Sequence, residues 1–215
     1  GIYKFVLSII GLLTISSLSG MDTAVTQAVA LGFEGTLIPA LKSKIRWGFI
    51  GAIASIFVAI YYFLNDNLTL ATIALIASIF VPFLNSFGIY NSLFEGRKLF
   101  KQTILYGAAT QIMATIFMAV TIFITTNIFV IMTVYLLSWT LLRLSIFVTT
   151  IKKFPLNKKY DPRTISYGKH SSLISLTASI IGSLDSILLF HYLGAEGLAV
   201  YSFALAPVLQ LRGFV

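Results

Sequence analysis

Six stretches of this chain, residues 2–19, 47–64, 68–84, 103–125, 127–149 and 171–192, are predominantly apolar and long enough to be candidate spans, and a seventh begins near 198. Crossing the hydrocarbon of a bilayer takes about 20 apolar residues at a helical rise of ~1.5 Å each. A soluble core does not account for six such segments in series. Composition excludes it independently: 58% of residues are hydrophobic and 10% charged, where a soluble domain carries roughly a quarter charged residues. The fold class expected is therefore an all-α membrane protein, a polytopic helix bundle of six spans plus the start of a seventh. The sequence opens at Gly1 and stops at Val215 inside apolar stretches, and is read as an internal piece of a longer protein. No cysteine is present, which excludes disulfides, thiolate metal sites and a cysteine nucleophile.

The net charge of +8 is informative through its placement. Two links, Asn65-Asp66-Asn67 and Thr125-Thr126-Asn127, are very short and carry no Lys or Arg. The others are basic. Lys42, Lys44 and Arg46 precede the second span, and Arg97, Lys98 and Lys101 the fourth. Lys152, Lys153, Lys158, Lys159, Arg163 and Lys169 fill the loop at 150–170. Twelve of the fifteen basic residues thus alternate correctly with every span, and the positive-inside rule puts those loops in the cytoplasm. Trp47 at the inner start of its span, and Tyr61 and Tyr62 at its outer end, suit the headgroup region. Membrane insertion rather than nucleic acid explains this charge.

Residues 20–46 are less regular, with Asp22, Gln27, Glu34 and Pro39. They read as a kinked continuation of the first helix ending in the cytoplasmic interface, or as a separate weak span over 23–41. Pro82 is expected to bend the helix at 68–84. The opening Ile2-Tyr3-Lys4-Phe5-Val6-Leu7 is echoed by Val200-Tyr201-Ser202-Phe203-Ala204-Leu205, an even number of helices later. Both copies should then start on the same side, and two parallel six-helix halves are a known transporter plan.

Four features carry a resemblance: GIYKFVLSIIGLL with LSGMDTAVTQAVALG, YNSLFEGRKLFKQ, SIIGSLDSILLFHYLGAEGLAVYSFA, and the six-helix repeat. In these the chain resembles the polysaccharide and O-antigen flippases of the multidrug/oligosaccharidyl-lipid/polysaccharide exporter superfamily. The resemblance implies that 1–149 holds the second to sixth helices of an N-terminal lobe, 150–170 a basic cytoplasmic inter-lobe loop, and 171–215 the start of a C-terminal lobe. It implies a multi-pass protein of the bacterial cytoplasmic (inner) membrane that flips undecaprenyl-pyrophosphate-linked oligosaccharide by alternating access. Its partners would be that lipid-linked oligosaccharide, membrane lipids and the polysaccharide assembly machinery. No cofactor is implied, but H+ or Na+ would serve as the coupling ion. The alternatives are a drug/cation antiporter of the same superfamily and a membrane-bound glycan polymerase. Outer loops of about three residues count against the polymerase.

Asp185 is the sharpest candidate. An acid at that depth costs ~2.5–3.5 kcal/mol on insertion scales, so it needs a partner or a wet cavity. Beside it a small and polar stripe, Ser172, Ser175, Ser179, Gly182 and Ser186, runs at helical spacing along a face turned to protein or water. Arg143 sits six residues inside its span. Snorkelling to the interface explains it, as does a cavity-facing role on a pyrophosphate, which a planar guanidinium binds in bidentate fashion. Tyr135, Trp139 and Arg143 share a face and would form a cation–π ladder. Gln111, near Tyr106, Thr110 and Thr115, either lines the cavity or bonds another helix. His191 reads as interfacial. No metal spacing, phosphate-cradling loop or nucleophile–base pair appears, so an enzyme is not expected.

Overall fold

In the computed structural model the backbone is described for residues 2–212 and the side chains for 3–14, 16–176, 180 and 184–206. Among the described residues every regular element is helical: α1 (Ile2–Thr14), α2 (Gly20–Ala30), α3 (Leu37–Leu64), α4 (Leu68–Leu84), α5 (Tyr90–Gly96), α6 (Phe100–Ile124), α7 (Ile128–Lys153) and α8 (Pro162–Arg212). Among the described residues five apolar segments, rather than the six and the start of a seventh expected, are long enough to cross a membrane: Glu34–Leu64, Leu68–Gly96, Phe100–Ile124, Ile128–Lys153 and Leu184–Ala206. This is the expected all-α polytopic bundle.

Burial is distributed as lipid solvation requires. On α6 only Thr110, Ala114 and Thr121 are buried, while Ile104, Ile112, Ile116 and Phe123 face outward. Small residues turn toward protein and large apolar ones away from it, the reverse of a water-soluble helix. Two apolar clusters fill the interior. One, around Met21, Leu37, Tyr90 and Phe94, joins α2, α3 and α5. The other, around Phe5, Ile73, Met132 and Leu136, joins α1, α4 and α7, with Leu198 of α8 added.

The first apolar stretch is shorter as a helix than its sequence run. The Thr14, Ser16 and Ser17 hydroxyls donate to the carbonyls of Gly11, Leu13 and Thr14. Such bonds compete with the regular ladder; here the chain tightens to a 3-10 turn at Ile15–Ser17, and Leu18 takes φ 57°. α2 then runs only to Ala30, and a turn with Gly32 at φ 86° separates it from α3. No continuous helix therefore covers 23–41. Lys42, Lys44 and Arg46 lie within α3 rather than in a link before it, since that helix starts ten residues ahead of the apolar run. α4 ends two residues beyond Pro82. Within α8, Gly194 adopts φ 70° and ψ −169°, a conformation open to glycine alone. It divides the segment into two arms, so the apolar stretch Leu184–Ala206 is not one straight rod.

Candidate functional site

Charge scarcity makes each acidic group a test of where the chain needs one. There are seven Asp and Glu residues, and two of them organise the basic end of the bundle. Asp22, in the first turns of α2, accepts from Lys44 Nζ at 2.6 and 2.7 Å, one bond to each carboxylate oxygen. The Lys44 side chain is 1% exposed and that of Asp22 43%, so a lysine deep between helices is neutralised by a carboxylate that still reaches solvent. The backbone carbonyl of Asp22 also accepts from Ser92 of α5.

Glu34 makes the second junction. Arg97 donates to its two carboxylate oxygens from Nε and Nη2, both at 2.7 Å, the planar fork geometry that favours arginine over lysine. Arg97 Nη2 reaches Pro155 O as well, and the Asn157 backbone donates to Glu34. Asn157 Nδ2 binds Gly32 O, Gly35 N binds Lys159 O, and Asp161 N binds Thr36 Oγ1. The segments at 31–36, 97–99 and 154–161 are thus strapped into one plate. This brings the three basic stretches to the same end, as their alternation along the chain requires.

α8 closes on α2 through small residues. Gly20 N donates to Ser172 Oγ at 3.1 Å, while Ser172 itself donates to Gly168 O. A side chain at Gly20 would run into the Ser171 and Ser172 backbone, so glycine permits this approach. Of the expected stripe, Ser172 and Ser186 are buried and Ser175 is half-buried, donating to Ser171 O. Ser179 and Gly182 lie outside the described side chains.

Arg143 points into the bundle. Its Nη1 donates to Leu84 O and Asn85 Oδ1, both at 2.7 Å, capping carbonyl groups where α4 ends. The guanidinium carbon stands 4.8 Å from the Trp139 ring centroid, and Trp139 lies edge-on to Tyr135 at 6.4 Å. The row of three anticipated from the four-residue spacing is present. Because α7 runs on to Lys153, Arg143 is ten residues from the helix end, about 15 Å along the axis. Among the described residues its Nε and Nη2 make no hydrogen bond, and Asp22 lies within its electrostatic reach.

Asp185 is exposed on α8, with the Tyr201 hydroxyl 3.5 Å from Oδ2 as a long hydrogen bond between the two arms. Gln111 is on the outward face of α6, its carbonyl accepting from Thr115. His191 is exposed and edge-on to Tyr192. No hydrogen bond among the described residues joins any two of Asp185, Arg143, Gln111 and Ser186. The groups that bind one another are instead Asp22, Lys44, Glu34, Arg97 and Asn157. Their signal in the sequence was the presence of two acids, Asp22 and Glu34, in the polar stretch that fits no span. Three or more His, Cys, Asp or Glu residues placed to hold a metal do not occur among the described residues. No family model, curated protein or solved structure matches the chain.

Proposed function

We propose that this chain belongs to a bacterial cytoplasmic-membrane transporter that moves undecaprenyl-pyrophosphate-linked oligosaccharide from the inner to the outer leaflet. The observation that supports this reading best is Arg143. A guanidinium turned into the bundle near the basic end of α7 is costly unless protein or water surrounds it. Here Nη1 is anchored on Leu84 and Asn85, and a pyrophosphate reaching Nε and Nη2 would meet the remaining edge of the fork. The anchoring lowers the entropy lost on binding, because the fork is already oriented by Trp139 and α4. The basic end would face the cytoplasm, where such a lipid-linked glycan is loaded.

The test is export by the intact protein in cells, or flipping of a fluorescent pyrophosphate-linked glycolipid in proteoliposomes. Arg143→Ala is expected to reduce transport at least tenfold at equal protein level. Arg143→Lys should recover only part of it, since an ammonium keeps the charge and loses the fork. Wild-type transport by the alanine variant would exclude Arg143 from substrate handling and remove the main support for the reading.

A further inference from the structure

We infer that α1, α3 and α8 together form a binding site for one anionic phospholipid of the leaflet at the basic end. The inference stands apart from the transport reading and uses none of its residues. A groove of about 510 Å³ opens between the three helices, with Leu12, Leu18, Ile50, Leu173, Leu176 and Ile180 among its walls. Trp47 and Lys169 belong to this groove and also to an adjoining space of about 340 Å³. That second space holds Lys42, Ser43, Arg46 and Tyr160. An apolar channel therefore leads directly into a basic mouth.

The charges in the mouth are the unusual part. Lys42 and Arg46 are one helical turn apart on α3, and Lys169 comes in from α8 with Nζ 5.7 Å above the Trp47 ring centroid. No Asp or Glu among the described residues lines the mouth. Among the described residues the two ion pairs use Lys44 and Arg97, not these three. Three converging cations without a counter-ion repel one another, and an anion among them relieves that repulsion. Basic pockets between membrane helices take phosphate headgroups on this principle, and the Ser43 and Tyr160 hydroxyls add neutral donors.

The groove selects an occupant with a chain. Lys169 and Ile180 are eleven residues apart on one helix, about 16 Å, close to half of the ~30 Å hydrocarbon thickness. Depth and mouth thus match one leaflet: a phosphate among Lys42, Arg46 and Lys169, and an acyl chain along Ile50, Leu173 and Leu176. Trp47, 41% exposed, stands at the junction, where an indole favours the headgroup boundary.

The experiment uses the intact protein in phosphatidylcholine nanodiscs, with phosphatidylglycerol bearing a diazirine on its acyl chain as the probe. Photolysis should label peptides covering 47–50 and 173–180, and unlabelled phosphatidylglycerol should compete while phosphatidylcholine and free glycerol phosphate should not. Each of Lys42→Gln, Arg46→Gln and Lys169→Gln should weaken binding about fivefold, and the triple variant roughly a hundredfold. Leu176→Trp, which fills the groove and leaves every charge in place, should abolish labelling at 173–180. Unaltered labelling by the triple variant would overturn the headgroup assignment. Unaltered labelling by Leu176→Trp would overturn the groove, meaning diffuse surface attraction or occupation by another segment of the protein. Competition by glycerol phosphate alone would reduce the site to one for free phosphate esters and refute the lipid.

Discussion

Three cations within five residues of α3 have different circumstances. Lys44 is buried and held by both oxygens of Asp22, whereas Lys42 and Arg46 are exposed and unpaired among the described residues. Chemistry and neighbourhood in sequence are nearly the same; helical phase is not. Residue 44 falls on the face turned to α2, and 42 and 46 fall together on the face beside α8 and the groove mouth. A basic run at a membrane boundary is therefore not one functional unit. Part of it locks helices together, and part is left free to meet an anion.

Removing the carboxylate should break this comparison with the largest effect. Asp22→Asn leaves Lys44 buried beside a neutral amide, and losing one partner of a buried pair costs about 3–5 kcal/mol. Because the Asp22 side chain is 43% exposed, the lower end of that range is expected. The loss should appear as a fall in thermal midpoint in detergent by size-exclusion survival. Combining it with Lys44→Met should recover most of the loss, since an apolar replacement of the pair removes the stranded charge. A double variant no better than Asp22→Asn would mean that the pair is not what stabilises the α2–α3 contact.

An intermediate effect is expected at the other junction. Arg97→Lys keeps the charge opposite Glu34 but cannot reproduce two parallel bonds plus the one to Pro155, at a cost of about 1–2 kcal/mol. Its signature should be local: faster amide hydrogen exchange at Gly35, Asn157 and Asp161, whose N–H groups donate within the plate. Uniformly faster exchange throughout the bundle would instead identify Arg97 as a determinant of global stability.

The smallest effect sharpens the contrast. Lys42→Gln and Arg46→Gln, each alone, should change thermal stability in lipid-free detergent by no more than about 0.5 kcal/mol, the range of surface substitutions away from specific contacts. Removal of repulsion with Lys169 makes the sign favourable, so a small rise in midpoint is the predicted direction. A destabilisation as large as that of Asp22→Asn would erase the distinction between paired and free cations.

The echo between the start of α1 and the end of α8 shows where sequence likeness stops being informative. Phe5 and Phe203 occupy matching places in the two copies, yet Phe5 is 2% exposed and Phe203 82%. Phe5 stacks on Phe190 at 3.8 Å between ring centroids, so α8 covers the first copy. Burial in a bundle depends on what is packed alongside, and an apolar residue in lipid has no need of a protein partner.

The all-helical class, the apolar surround and the gathering of basic stretches at one end were legible because they rest on local quantities, whereas six spans and the start of a seventh were expected and five membrane-length helices occur among the described residues. Run length, hydropathy and the positions of Lys and Arg are properties of the chain alone, and the bilayer imposes helix on any such run by forbidding unpaired backbone groups. The row of Tyr135, Trp139 and Arg143 followed from its spacing in the same way, while the inward turn of Arg143, left open against snorkelling, did not. Only the tertiary structure decided that Thr14, Ser16 and Ser17 end α1 early, that Asp22 belongs to Lys44 and Glu34 to Arg97, and that Asp185 meets Tyr201 across the Gly194 break. Such pairings depend on the rotation of one helix about its axis relative to another. That rotation is set by close packing of small residues such as Gly20 against Ser172, and a pattern read along a single helix does not contain it.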